Sequence, residues 1–260
     1  MAERLKVIRT ENAVEVRLDR PEVHNAFDAA LIRELNETLR GLAAEPGLRV
    51  LVLSGAGPNF CAGADLHWMR ESIRYTKKEN EADALRLHRM LRRLYEFPRP
   101  TIARVQGGVF GGGVGLVSCC DVAVAAEDAT LCLSETRLGI LPAVISPFVI
   151  RKIGPAGLRA WGLSAKRMTA AEAFRIGLVN EVVPESRLDA AVAEWTGRFL
   201  ENGPEAMALL KRLTTEVEGA PLGLAASKTG RAIARARAGK EGQEGMLAFL
   251  EKRPPSWRPR

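Results

Sequence analysis

Hydrophobic and polar positions along the chain change period several times, and each change marks an element. Val14, Val16 and Leu18 alternate with Glu15, Arg17 and Asp19, the period of a half-buried strand. Residues 5–19 are therefore expected to form a β-hairpin that turns near Thr10-Glu11-Asn12. Leu31, Ile32, Leu35, Leu39 and Leu42 then recur at helical spacing, and Asp28 stands where an N-cap side chain would accept. This predicts a helix over 29–44, stopped by Pro46-Gly47. Val50-Leu51-Val52-Leu53 is an unbroken apolar run, the kind of strand that is covered on both faces. A short helix from His67 and a polar stretch to Lys78 come next. A second amphipathic helix is expected over 79–97, with Leu85, Leu87, Met90, Leu91 and Leu94 inward and Pro98 and Pro100 as its stop. Strands follow at 101–105, 121–125 and 130–133. From Ser146 the pattern turns helical (147–153, 157–162, 170–176), is interrupted by a strand at 178–183, and resumes at 188–201, 204–218, 225–238 and 241–252. The expectation is an α/β chain of repeated β-β-α units. Residues 1–200 would form its core and 201–260 a helical C-terminal region of the same fold.

Residues 105–116 break this regularity. Six of the twelve are glycine, which costs backbone entropy and needs a reason. A glycine-rich turn opening a helix lets backbone come close to a ligand and aims free N–H groups and the positive dipole end at an anion. A second loop, Gly55 to Leu66, ends in the small residues Ala62-Gly63-Ala64 and offers the same possibility beside the plainer one of a strand-to-helix turn. The glycine spacing does not fit a dinucleotide fingerprint.

Composition narrows the classes. Of 260 residues, 47% are apolar and 27% charged, ordinary for a globular protein that buries a core. No charge-free apolar run has the length of a membrane span, and the N-terminal stretch lacks a signal-peptide core. Cys61, Cys119, Cys120 and Cys132 lack metal or redox spacing and read as reduced, buried thiols, which together predicts a cytoplasmic protein with no membrane partner. Three scattered histidines give no metal site. The net charge of +7 is accounted for by a solvated arginine-rich surface better than by nucleic-acid binding, because no nucleic-acid motif accompanies it.

Several stretches together resemble one family. They are Phe60-Cys61-Ala62-Gly63-Ala64-Asp65-Leu66, the run from Gly107 to Asp121, Glu135-Thr136-Arg137-Leu138-Gly139-Ile140, the segment from Ala170 to Pro184, and Glu244 to Pro254. In this order and spacing they resemble the enoyl-CoA hydratase/isomerase, or crotonase, superfamily. The resemblance implies a spiral of β-β-α turns with a helical C-terminal part that builds homotrimers or homohexamers. It implies a coenzyme A thioester substrate and no further cofactor. Its shared chemistry holds a thioester enolate by two backbone N–H groups, which fall on Ala64 and Gly112. Preorganised donors of this kind contribute about 3–4 kcal/mol each. Glu135 falls where the family has a catalytic glutamate and is the candidate general acid/base. His24, Ala26, Ala62, Gly63, Asp65, Leu66 and Gly111 would border the substrate. Phe249 and Lys252 would border the nucleotide, from a neighbouring subunit. His88 and Trp68 read as structural.

One position departs from the family. Where it carries a further glutamate, this chain has Gly115, so a two-glutamate mechanism is excluded. Single-carboxylate members are often isomerases. A finer likeness, in residues 110–121, 132–140 and 142–149, is to the bacterial methylglutaconyl-CoA hydratase branch. It implies hydration of 3-methylglutaconyl-CoA to 3-hydroxy-3-methylglutaryl-CoA in leucine degradation. On this reading Gly115 leaves room where the family has a carboxylate, and the substrate's own distal carboxylate, or a glutamate from elsewhere in the chain, does part of its work; Arg137, His67, Arg70 and Arg74 are candidates to pair with a distal carboxylate. A basic nucleic-acid-binding protein with a decayed site is the alternative of another class.

Overall fold

The computed structural model describes residues 4–258. The first three residues, part of the stretch read for a signal, and the last two lie outside it. Strands β1 (Leu5–Arg9) and β2 (Ala13–Leu18) form the expected antiparallel hairpin. β2 opens a parallel series with β3 (Val50–Gly55), β4 (Thr101–Val105), β6 (Val122–Ala126) and β9 (Glu181–Val183), giving a six-stranded sheet in the order β1-β2-β3-β4-β6-β9. A smaller sheet joins β5 (Gly108–Phe110), β7 (Thr130–Cys132) and β8 (Met168–Thr169). Helices α1 (Ala29–Ala43), α2 (Leu66–Ser72), α3 (Lys77–Tyr95) and α4 (Gly112–Cys119) fill the connections. The continuous apolar run of β3 is explained by its two faces. Leu51 and Leu53 join the main core with α1 and α3, whereas Val50 and Val52 pack under α7 (Leu188–Leu200). All four cysteines are buried and unpaired, and burial pushes the Cys61 thiol up to about 12, so it is no nucleophile at neutral pH.

Several elements depart from expectation for local reasons. α3 starts at Lys77 because Thr76 and Glu79 form a reciprocal capping box. Leu85, expected inward, is 54% exposed. Six residues before Leu91, it sits about 240° round the helix from it. Gly108–Phe110 forms a strand inside the glycine-rich stretch, paired with Thr130–Cys132, where a plain loop was expected. The pieces 147–153 and 157–162 are one helix, α5 (Ser146–Ser164), bent at Gly154 where φ is 70°. β9 is shorter than expected because Asn180 bonds Ala123 with both its backbone and its side chain. Helices α6 (Ala170–Arg175), α8 (Pro204–Val217), α9 (Leu222–Ala238) and α10 (Lys240–Leu250) complete the chain. Among the described residues no helix is long and apolar enough to cross a membrane, and no cluster of three or more His, Cys, Asp or Glu side chains suits a metal.

A half-buried cation ties the first loop to the second. Arg20 donates to the Ala26 carbonyl at 2.7 Å and to Asp65 Oδ2 at 3.0 Å, and lies 3.3 Å from Asp28 Oδ2. Asp28 caps α1 through the Leu31 amide, and Asp65 caps α2 through the His67 and Trp68 amides. Removing the guanidinium takes the cation from the poorly solvated Asp65 carboxylate and leaves Asp28 with Arg4, 3.1 Å away. Arg20→Ala is expected to lose about 3 kcal/mol of stability in urea unfolding, and Arg20→Lys to recover only part of it, since an ammonium cannot reach all three acceptors at once.

Candidate active site

Two backbone amides are left free by the way the two glycine-bearing loops are held. Phe27 N–H donates to the Gly63 carbonyl at 2.6 Å, and Asp65 N–H donates to the Phe27 carbonyl at 2.8 Å. This short parallel bridge uses the groups on either side of Ala64, so the Ala64 N–H points away from Phe27. It donates to no acceptor among the described residues. The Gly112 N–H is the first of α4 and has no acceptor within the helix. Gly111, just before it, has φ 50° and ψ −115°, which an L side chain would strain to reach. The loops touch: a Cβ added to Gly63 would lie 2.8 Å from the Phe110 carbonyl oxygen and 3.7 Å from the Gly112 nitrogen.

Both amides border one recess of about 180 Å³, with Glu135 on its wall. Phe27, Trp68, Leu87, Pro142, Val144 and Ile145 supply most of the apolar lining. Glu135 opens a 3₁₀ turn, Glu135–Leu138, after β7. Burial raises its pKa above the ordinary glutamate range, against a weaker opposing hydrogen bond from its own amide. Three side-chain nitrogen or oxygen atoms among the described residues are buried without a protein partner, and two of them, Glu135 Oε2 and Trp68 Nε1, belong to residues of this recess. Such atoms cost about 1–3 kcal/mol each when left unpaired. A wider groove of about 860 Å³, bordered by α1 and α3 and lined by Arg33, Arg86, Arg89 and Arg93 among others, has no such pairing of free amides and buried carboxyl.

Free backbone donors bordering the same recess as a carboxyl whose pKa is raised by burial are the equipment for proton transfer next to a carbonyl. The family profile described as Enoyl-CoA hydratase/isomerase matches residues 9–260. The chain belongs to the enoyl-CoA hydratase/isomerase family. It is 34% identical over 240 residues to a putative enoyl-CoA hydratase of Thermus thermophilus, covering 92% of this chain and 94% of that one. It is likewise 34% identical over 260 residues to the mevalonyl-coenzyme A hydratase sidH of Aspergillus fumigatus, covering 96% and 93%. The crystal structure of an enoyl-CoA hydratase from Shewanella pealeana superposes with a TM-score of 0.95 at 39% identity, covering 98% of this chain and 96% of that one. The fold is the crotonase fold.

Within this family frame, the sequence-predicted residues separate into groups. Ala64, Gly112 and Glu135 come together at the recess. Gly63 and Gly111 hold its donor loops, and the Ala62 amide donates to the His24 carbonyl at 2.9 Å. The His24 ring nitrogen Nδ1 lies 2.9 Å from Asn59 Nδ2. Ala26 is buried and offers its carbonyl to Arg20. The Asp65 carboxylate is occupied by Arg20 and the α2 amides, which makes it a structural group within the loop expected to border the substrate. Leu66 is exposed at the start of α2, and Phe249 and Lys252 lie at the far C-terminal end, outside the recess lining.

Two expectations are overturned. Gly115 leaves no room: a Cβ there would stand 2.3 Å from Ile145 Cγ2 and 2.9 Å from its Cβ. Ile145, from a different segment, fills the space beside Gly115, so a substrate carboxylate cannot sit there. Arg137 is exposed and donates to the Ala165 carbonyl at 2.7 Å, away from the recess. His67 is also turned outward, 3.2 Å from Glu71. The residues missed by sequence reasoning are Phe27, Leu87 and Trp68, all of which looked like ordinary apolar packing.

The Gly115–Ile145 fit predicts that Gly115→Glu alone overpacks the site and lowers the thermal midpoint, by an energy of about 1–3 kcal/mol or more. Gly115→Glu combined with Ile145→Ala should regain part of that loss. Glu135 gives a pH-dependent stability. Its folded pKa is raised, so the folded state disfavours the carboxylate, and stability falls as pH rises from the ordinary glutamate range through the raised value. Glu135→Gln should therefore match the wild type in acid and exceed it at neutral pH when unfolding is followed across pH.

Proposed function

We propose that this hydratase-family protein adds water to 3-methylglutaconyl-CoA and forms 3-hydroxy-3-methylglutaryl-CoA, a step of leucine degradation. The observation that carries the reading is a single buried carboxyl facing two free amides across a short apolar recess. The substrate's thioester oxygen is held by the Ala64 and Gly112 N–H groups. Water attacks C3, and one Glu135 oxygen takes its proton. The C2–C3 π pair moves to form a C1–C2 double bond and the carbonyl π pair moves onto the thioester oxygen, where the two donors stabilise the enolate. The enolate then takes a proton at C2 from Glu135, whose carboxyl ends as it began. One carboxyl thus serves both proton transfers, which suits a site where Ile145 fills the space beside Gly115.

The small recess supports a short acyl group over a long fatty chain. A similar protein named for mevalonyl-coenzyme A, an acyl group branched at C3, supports a methyl-bearing substrate. So does the likeness of residues 110–121 and 132–149 to the methylglutaconyl-CoA hydratase branch. Coenzyme A enters as part of the substrate, and the reading needs no other cofactor. The proposed assembly is a homotrimer or homohexamer. Exposed Leu210, Leu222, Leu224 and Phe249 on α8–α10 support it by offering apolar surface for neighbours. In such an assembly Phe249 and Lys252 would reach an adjoining nucleotide site.

A lone carboxyl also favours a second reading, double-bond isomerisation, in which Glu135 lifts a proton and returns it elsewhere. One assay separates the two. Enoyl absorbance is followed with 3-methylglutaconyl-CoA, crotonyl-CoA and 3-enoyl-CoA substrates, falling on hydration of the first two and rising when a 3-enoyl thioester is isomerised to the conjugated 2-enoyl form. The expected result is preferred hydration of 3-methylglutaconyl-CoA, with Glu135→Gln lower in kcat by roughly 10²–10⁴-fold. Preferred turnover of the 3-enoyl substrates would establish the isomerase, and an unaltered rate in Glu135→Gln would remove that residue from the mechanism.

A further inference from the structure

Gly111, Gly112 and Gly113 follow one another, and backbone of this kind has the least intrinsic constraint of any. Each of the three meets a different neighbour where a side chain would stand. A Cβ at Gly111 would lie 3.1 Å from Glu135 Oε1, and one at Gly113 would lie 2.5 Å from the Cys61 carbonyl oxygen. A Cβ at Gly112 would meet the Phe27 ring, 2.7 Å from Cε2 and 2.9 Å from Cδ2. Beyond the glycine's own stretch of chain, its three nearest atoms all belong to that ring. Phe27 is 1% exposed and lines the recess. Its ring edge is therefore the contact against which the Gly112 backbone, carrying one of the two free N–H groups, comes to rest.

The same residue fixes the other donor. Phe27 donates its N–H to the Gly63 carbonyl and accepts from the Asp65 N–H, which leaves the Ala64 N–H between them unpaired. One residue thus sets one donor with its main chain and the other with its side chain. The two roles are separable, because backbone pairing survives a change of side chain and a flat ring edge does not. We infer that Phe27 is a positioning residue, its backbone aiming the Ala64 amide and its ring holding the Gly112 amide, so that both meet one thioester oxygen. The inference rests on the reading of the recess as the thioester site. Phe27 transfers no proton. It keeps two donors converged on a single acceptor, where a small displacement forfeits much of their effect.

The test reads the thioester carbonyl directly. Butyryl-CoA, isotope-labelled at that carbon, is bound to the full-length protein, and its carbonyl stretch is measured by isotope-edited infrared spectroscopy. The ligand is saturated and does not turn over. Two amides on one oxygen should lower the stretch in the wild type. Phe27→Met keeps apolar bulk and the backbone pairs but puts a flexible chain in place of the ring edge. It should lose about half of the lowering, as expected when one of two donors is loosened. With the best enoyl-CoA substrate its kcat should fall about tenfold or more, while KM changes by roughly twofold or less. Phe27→Leu is measured in parallel and should behave alike. Gly112→Ala should also lose part of the lowering, because its methyl strikes the ring. Gly112→Ala combined with Phe27→Leu should recover some of it, because the methyl then fills the space the ring edge has left. Leu35→Val, in the same core but outside the recess lining, controls for lost stability and should leave the stretch and kcat as in the wild type. A wild-type stretch and kcat in Phe27→Met or Phe27→Leu would overturn the inference and reduce the ring to ordinary packing. No recovery in the double variant would equally overturn it. A wild type that leaves the stretch of bound butyryl-CoA unshifted would remove the thioester from the recess, and the proposed function would then fall together with the inference.

Discussion

The site depends on backbone hydrogen bonds that are withheld. A parallel bridge satisfies alternate groups along a strand, so pairing Phe27 with the residues flanking Ala64 consumes the Gly63 carbonyl and the Asp65 amide and turns the Ala64 amide outward. The start of a helix withholds the Gly112 amide by a different geometric rule. Neither donor needs a side chain of its own, so their positions are set by how the two loops are pinned. The pins are the Arg20 contacts to Ala26 and Asp65, the β5 pairing with β7, and the close approach at Gly63. These keep the two donors aimed before any ligand arrives, which is the condition under which they stabilise developing charge most strongly.

Much of this was legible in the chain, for identifiable reasons. The β1–β2 hairpin, α1 and β3 follow from strong periodicity and clear stops, and their burial matches it. The glycine-rich stretch announced a close backbone approach because no other residue tolerates Gly111's conformation. Tertiary fit was not legible. The space at Gly115 looks empty in a one-dimensional string, because Ile145 lies thirty positions away and only folding brings it there. Trp68 reads as one more core aromatic, because an unsatisfied N–H cannot be seen until its neighbours are known. The Asp65 cap was not legible either, because a short helix starting at His67 carried no clear period to place its N-cap.

The recess also shows how a scaffold shared across a family can alter its chemistry without moving its donors. The amides belong to backbone, which substitutions elsewhere scarcely disturb. The proton-transfer groups and the acyl walls belong to side chains from α2, α3 and the segment before α5, and these change independently.

The Gly115–Ile145 contact has a historical meaning. Two positions from separate segments have become mutually dependent: the larger residue fits only because the smaller faces it. A chain with this pair cannot regain a second carboxylate by one substitution without passing through an overfilled, weakened form, and cannot shrink Ile145 first without opening a void. The contact works as a ratchet on descent. A larger residue at 115 and a smaller one at 145 are accommodated only together.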